Sequence, residues 1–460
     1  SAARSGKTVL HLDQADSYGS AWSSLNMDQF LVWADQTSSS TATPPVQEPT
    51  GLQESANITA ADAAGADLLR VVFCASDTIE TMLSFGVQNY LEFKLLQGSY
   101  IYTDGKLASV PASRAAIFRD RTLGPMDKRL LTRFLMQLGN SPQDNIFPQY
   151  LSSVGRHGPS SGAFLTLMYG CAELPQAFCR VAAVHGAVYM LRQPIDSLLL
   201  DHKTHHCRGI QTDTGQVVRC SALAGSAAAL HNLLRLSQPA LLTKQQPASS
   251  APAKRISKAI CILDGPIKEG ESQLLIIIPP NTPLLQNPHA IRAIQLGPAA
   301  AVCPGNRHLL YLSTPSTAAT AAEDLSDAVS ALVHTETMFA STSTRDRTPS
   351  PSVANANTSE QRQRSAHDCP EALLVAFFNQ QCQQENDDDQ ALPSNVVCCL
   401  PPDGSIDVDS AVKHAKQAFG KLFPDAESAF DTPAAGNNDD ESDDEALDAL
   451  GDALQSLGSN

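Results

Sequence analysis

Few side chains in this sequence stand where they could do chemistry, and the first is Asp13, which ends the run Gly6-Lys7-Thr8-Val9-Leu10-His11-Leu12. A short β-branched and apolar run bounded by an acid is a strand signal. In a dinucleotide-binding unit such a terminal acid binds a ribose hydroxyl. A helix-capping or turn carboxylate accounts for the same residue equally well. Nucleotide chemistry would also need an earlier strand, a glycine-rich turn and a helix N-terminus to receive the pyrophosphate. Ala2, Ala3 and Arg4 read as the end of that helix, so the sequence is expected to enter the unit partway, without its phosphate loop. The second candidate is the turn Asp201-His202-Lys203-Thr204-His205-His206-Cys207, whose imidazoles, thiol and carboxylate are donor types that zinc takes. A polar hairpin tip explains the same residues, and no metal is expected there. Eleven cysteines are scattered without metal-type spacing, with Cys398 and Cys399 adjacent. Reduced thiols and a cytoplasmic location are the expectation.

Structured segments alternate with segments of structureless composition. Asp67 to Phe85 has helical spacing, Tyr90 to Lys94 and Ser99 to Tyr102 are strand-like, and Asp104-Gly105 is a turn leading into Leu107 to Val110. Met126 to Leu138 and Leu174 to Ala187 are amphipathic helices. Ser197 to Asp201 and Gly209 to Thr212 flank the polar turn, and Ile256 to Leu263 with Gln273 to Ile278 reads as a second strand pair. Thr37 to Thr50 and Gln245 to Ala253 read as linkers, and Thr335 to Cys369 is too poor in apolar residues to pack. Asn437 to Glu445 is an acidic tract, followed by the short amphipathic stretch Ala446 to Leu454.

The chain of 460 residues is long enough for two or three domains with a substantial core. Its 32 Lys and Arg stand against 48 Asp and Glu, a formal charge of -16, which repels nucleic acid and anionic membrane and favours basic partners. No apolar run approaches the roughly 20 residues of a membrane-spanning helix, and the start has no hydrophobic segment of a signal peptide. The expectation is a protein that neither spans a membrane nor enters a secretory route by itself.

Three segments carry a family resemblance. Val9-Leu10-His11-Leu12-Asp13, with Asp16-Ser17-Tyr18-Gly19 and Trp22, is similar to the opening signature of the Rab escort protein and Rab GDP dissociation inhibitor family. Tyr90-Leu91-Glu92-Phe93-Lys94, Gly105-Lys106 and Val110-Pro111-Ala112-Ser113-Arg114-Ala115-Ala116-Ile117-Phe118 form the second. Ser113-Arg114-Ala115 resembles the escort proteins, plant-type ones especially, more than the inhibitors. The third joins Gly155-Arg156 to Tyr169-Gly170-Cys171-Ala172-Glu173-Leu174-Pro175-Gln176-Ala177-Phe178-Cys179-Arg180, a long motif of the family. Leu392-Pro393-Ser394-Asn395-Val396 and Ala411 to Phe423 extend the likeness more weakly.

The resemblance implies an α/β fold: a flavoprotein-like (FAD/NAD-binding-like) scaffold domain used without cofactor, plus a small inserted helical domain. Residues 1–111 would hold the first part of the scaffold, with 37–50 a linker, and 112–160 a shortened helical domain. Residues 161–334 would continue the scaffold, 335–369 form a disordered insertion, 370–430 complete the scaffold and 431–460 form an acidic tail. It also implies that Tyr18, Glu173 and Arg180 line a platform for Rab GTPases, with Met190 at a further contact position. The implied role is that of a non-catalytic escort. It would bind GDP-bound Rab proteins, present them to the Rab geranylgeranyl transferase and carry the prenylated product to membranes, with the prenyl group seated in the helical domain. A Rab GDP dissociation inhibitor is the alternative within the family, and a flavin- or nicotinamide-dependent oxidoreductase the alternative outside it. The departures are Gln14 in place of the family's Arg, Ser20 in place of Gly, and Cys171-Ala172 where a glycine is expected second. The last matters if that position needs a positive φ, which Ala tolerates poorly.

Overall fold

The computed structural model describes residues 1–15, 22, 24–38, 55–58, 70–110, 134, 146–158, 161–201, 203–226, 229–230, 232–234, 255–283, 285, 287–335, 369–382, 392–400 and 404–424. The linkers at 39–50 and 245–253, the insertion 336–368, the tail 431–460, and all of 112–145 except Phe134 lie outside them.

In chain order the elements are β1 (Leu10–Leu12), α1 (Met27–Ser38), β2 (Ser55–Ile58), β3 (Val72–Phe73), α2 (Asp77–Phe85), β4 (Phe93–Leu95), β5 (Gly98–Thr103) and β6 (Lys106–Ser109). They continue with α3 (Ile146–Ser153), β7 (Phe164–Leu167), α4 (Glu173–Val184), β8 (Val188–Met190), β9 (Ile195–Leu200), β10 (Cys207–Thr212), β11 (Val217–Arg219) and β12 (Leu223–Ser226). Last come β13 (Arg255–Leu263), β14 (Leu274–Ile278), β15 (Ile291–Leu296), β16 (His308–Pro315), α5 (Ala321–Leu332), β17 (Ala372–Gln381), β18 (Val396–Cys399) and α6 (Asp409–Leu422). No helix among the described residues is long and apolar enough to cross a membrane.

The largest sheet has eight strands in the order β2-β17-β13-β16-β15-β14-β5-β6. Its central strands are apolar on both faces because both faces are covered. Leu275 and Ile277 of β14 pack on one side with Phe73, Tyr150 and Phe164. Leu274, Ile276 and Ile278 pack on the other with Leu325, Val329 and Leu332 of α5. Helix α5 is held at its start by a capping box, in which the Thr320 hydroxyl accepts from the Glu323 N–H while the Glu323 carboxylate accepts from the Thr320 N–H. Phe73 and Phe164 belong to a smaller sheet, β3-β7-β4. Its opposite face carries Val72, Leu165 and Leu167 into a cluster with Ile79, Met82 and Phe85 of α2 and Leu174, Ala177 and Val181 of α4. The order of layers is therefore α5, large sheet, small sheet, then α2 with α4. This mixed α/β architecture is the expected fold class.

Two readings of the sequence are corrected. Strands β13 and β14 are not partners: β13 lies between β16 and β17, and β14 between β15 and β5. The reason lies at the start of β14, where the Gln97 side chain accepts from the Gln273 N–H at 3.0 Å and the Gln97 N–H donates to the Gln273 carbonyl at 3.1 Å, fixing β14 beside β5. The helical segment near 67–85 is also shorter than its spacing suggests. Val72–Phe73 is a buried strand paired with β7, and Ser76 caps α2 by accepting from the Ile79 N–H. The linker reading of 37–50 loses its first two residues, Thr37 and Ser38, to the end of α1. Asp104 and Gly105, with φ of 49° and 75°, make the expected hairpin turn between β5 and β6.

Ile276 faces the α5 layer and is fully buried. Ile276→Ala is expected to cost about 2–5 kcal/mol, read as a lower denaturation midpoint at unchanged slope.

Candidate functional site

Helix α4 buries Leu174, Ala177 and Val181, an i, i+3, i+7 stripe that seats one face on the small sheet. Glu173 and Arg180 lie two turns apart on the same helix. The turn that starts α4 is sharp, with Tyr169 at φ 65° and Gly170 at φ 108°. A Cβ on Gly170 would stand 2.6 Å from the Ser24 hydroxyl oxygen, which would have to rotate away, and the positive φ itself calls for glycine. Ala172 sits at φ -62°, an ordinary right-handed value, so the alanine standing where the family motif has glycine carries no strain. Pro175 is the third residue of the helix, within the first turn, whose N–H groups have no intrahelical acceptor.

An exposed strip runs from this turn. The Arg180 guanidinium lies over the Tyr90 ring at 4.7 Å from its centroid. Stacking engages the flat face of the cation and leaves the five N–H donors at its edge pointing elsewhere. Two residues beyond Tyr90, the Glu92 carboxylate meets the Tyr169 hydroxyl at 3.5 Å, and the Glu92 carbonyl accepts from Met168 N–H at 3.0 Å. Tyr169 is 50% exposed and Tyr90 37%. Glu173 closes the strip, its N–H donating to the Gly170 carbonyl. Cation, two aromatic faces and two acids thus stand together on one surface, a composition suited to protein recognition.

Tyr18 lies outside the described residues, but both ends of its segment are placed. On one side the Asp13 N–H donates to the Met190 carbonyl at 3.0 Å. On the other, Ser24 rests on Gly170 and Trp22 packs against the cluster that holds Leu174. Met190 is 41% exposed on β8, which pairs with β1 in parallel. The intervening Tyr189 turns to α4, where its hydroxyl bonds the Cys179 thiol; burial nonetheless pushes that thiol up. Strand alternation puts Met190 on the other face of the strand, beside Leu12. The structure therefore sets Glu173 and Arg180 two turns apart on α4, with Met190 exposed on β8.

Tyr90, Glu92 and Tyr169 were quoted above only as motif letters. The Asp13 carboxylate accepts from the Ala15 N–H at 2.9 Å, so it acts as a turn carboxylate. The polar turn 201–208 is likewise structural. Asp201 accepts from the N–H groups of Lys203 and Thr204 and pairs with Arg208 at 3.1 Å, and the two backbone donors, then Arg208, hold its carboxyl well below the usual carboxylate range. His202 lies outside the described residues, and among those described no cluster of metal donors forms. Beneath α4 is an apolar cavity of about 390 Å³ lined by Trp22, Phe85, Leu174, Phe178, Val408 and Val412.

A family model described as GDP dissociation inhibitor matches residues 2–147 and 145–359. Rab escort protein 1 of Arabidopsis thaliana is 30% identical over 68% of this chain and 73% of its own length. Rab proteins geranylgeranyltransferase component A of Drosophila melanogaster is 24% identical over 92% of this chain and 85% of its own. The crystal structure of a Rab GDI from Plasmodium falciparum covers 92% of this chain and 94% of that one, with a TM-score of 0.57 at 15% identity, a likeness of fold.

Gly170→Ala is expected to destabilise by more than about 1 kcal/mol through its positive φ alone. Ser24→Ala in the same chain removes the hydroxyl contact, so the double variant should recover part of the loss, measured by thermal melts of the four proteins.

Proposed function

The chain belongs to the GDP dissociation inhibitor family, and on that premise we propose that it works as a non-catalytic Rab escort protein in the cytoplasm. It binds GDP-bound Rab GTPases, presents them to the Rab geranylgeranyl transferase and carries the prenylated product to membranes. The observation that carries this reading is the exposed strip around Arg180. A planar cation pre-positioned on Tyr90 can pair with a carboxylate of the partner while losing little side-chain freedom. Tyr169 and Tyr18 add rigid aromatic area, and Glu173 receives a donor or orients the cation. Met190 extends the contact along β8. The formal charge of -16 suits a partner with a basic tail and speeds encounter with it.

Asp13 supports the non-catalytic side of the reading, since the carboxylate that would bind a ribose instead closes the turn onto Ala15. The names of the curated relatives favour escort over inhibitor, as does Ser113-Arg114-Ala115, which falls outside the described residues. In the same reading the helical domain occupies 112–160 and offers the prenyl group its seat, the insertion occupies 335–369 and the acidic tail 431–460.

Arg180→Ala and Tyr18→Ala are each expected to cost about 2 kcal/mol in Rab affinity, roughly thirtyfold, with little change in melting temperature. Titration against one GDP-loaded Rab with melts alongside measures both. Loss of stability with unchanged affinity per folded molecule would assign these residues to structure instead. Adding the transferase and a prenyl donor separates the two family roles: an escort supports prenylation of the bound Rab, an inhibitor does not.

A further inference from the structure

Away from the platform, two cysteines meet in a place the fold has shaped for them. Strand β10 pairs with β9 through Cys207↔Leu200 and then Gly209↔Leu199, so Arg208 is an extra residue and makes a bulge. A bulge re-aims the side chains beside it. On the other edge β10 pairs with β11 through Gly209↔Arg219, and the Cys220 N–H donates to the Arg208 carbonyl at 3.1 Å. The two backbones approach very closely there. A Cβ on Gly209 would lie 2.3 Å from the Val218 carbonyl oxygen and 3.0 Å from the Arg219 Cα, so only glycine fits.

Asn395 then clamps the site from β18. Its side-chain oxygen accepts from the Cys207 N–H at 3.0 Å, and its nitrogen donates to the carbonyls of Cys207 and Ser221, each at 2.8 Å. One buried amide therefore fixes the backbone at Cys207 and directly after Cys220. Between these restraints the Cys207 thiol donates to the Gly209 carbonyl at 3.5 Å, and Cys220 packs against the cluster that buries it. Cys207 is buried and Cys220 half-buried in one cluster with Leu200 and Val396. Both are thiols in the structure.

We propose that Cys207 and Cys220 are an oxidation-sensitive dithiol that closes to a cross-strand disulfide when a peroxide reaches it. The ionisation order follows from the contact. The contact with Cys220 brings the Cys207 thiol below the usual thiol range, whereas that same contact and then burial push Cys220 up. Cys207 is thus the thiolate and Cys220 the proton-bearing partner. The Cys207 sulfur attacks one oxygen of hydrogen peroxide and the O–O bond breaks; the departing hydroxide takes the proton that Cys207 released, giving water and a sulfenic acid on Cys207. The Cys220 sulfur then attacks the Cys207 sulfur, the S–O bond breaks, and the hydroxide leaves with the Cys220 proton as a second water. Two thiols lose two electrons to one peroxide. The new bond would tie β10 to the segment that leads into β12, whose Leu223 packs in the same cluster.

The test exposes the purified full chain to hydrogen peroxide, quenches with an alkylating agent and maps the peptides by mass. A Cys207–Cys220 linked peptide is expected to form first, roughly tenfold or more ahead of oxidation at the exposed Cys399, whose thiol is not lowered as that of Cys207 is. Its rate should rise with pH and level off below the range where an ordinary thiol ionises, because the reacting form is the Cys207 thiolate. Cys220→Ser should abolish the link and leave Cys207 as a sulfenic acid that dimedone captures. In Asn395→Ala, melts checked for folding, the link should form more slowly. Peroxide oxidation of the folded chain without this link, a link from Cys220 to Cys398 instead, or a rate equal to that at Cys399 would each overturn the proposal.

Discussion

The candidate surface hangs on the backbone turn at Tyr169 and Gly170. The chain leaves β7 buried in the small sheet, passes through two left-handed residues and enters α4 with Ser24 pressed against the glycine. Holding Tyr169 at φ 65° costs roughly 1–2 kcal/mol for a residue with a Cβ. The Tyr169 N–H bond to the Ala300 carbonyl at 2.9 Å helps offset that cost and ties the turn to the large sheet's loops. One geometry then settles several outcomes together. It directs the Tyr169 ring outward to Glu92, starts α4 so that its apolar stripe meets Val72 and Leu165, and places Arg180 over Tyr90. It also brings the first signature, through Ser24 and Trp22, beside the third.

The layering separates stability from recognition. The large sheet is buried by α5 on one side and the small sheet on the other, and its fully enclosed residues, Leu274 to Ile278 among them, carry most of the apolar burial. The strip lies outside the last layer, on the solvent side of α4 and the turn Val87–Tyr90. Arg180 and Tyr90 contact each other and solvent, with few buried partners to lose. On the proposed reading substitutions in the strip register in binding and those in the sheet register in folding, because distant sites without shared partners add independently.

Local signals were legible and long-range choices were not. The hairpin at Asp104-Gly105 could be read because both turn residues adopt positive φ and only a few residue types do so readily. Helix α4 could be read from its stripe and from the motif around Pro175. The partners of β13 and β14 could not, since strands buried on both faces show no alternation that orients them, and the deciding contact is a single side chain, Gln97. The helical reading of 67–85 failed for a related reason: Val72 and Phe73 fit a helical spacing, and only the Ser76 cap marks where the helix begins. At the proposed site, the long motif singles out Glu173 and Arg180, and the structure places both on α4. Tyr90 and Tyr169 were not assigned roles, because exposure depends on the turn geometry that no spacing rule encodes.

Charge and shape act at different ranges on this surface. The net charge is spread over the whole chain, and at physiological salt its field fades over about 8 Å, so it can gather a basic partner without fixing how that partner sits. Orientation has to come from contacts made at close range. Arg180 is a positive group displayed by an acidic protein, and that contrast gives it value: a partner drawn in by its basic segment must still offer an acid at one place to meet the guanidinium. On the proposed platform a basic peptide lacking that acid would be attracted and then set against a like charge, so that a single stacked arginine would turn general attraction into selection.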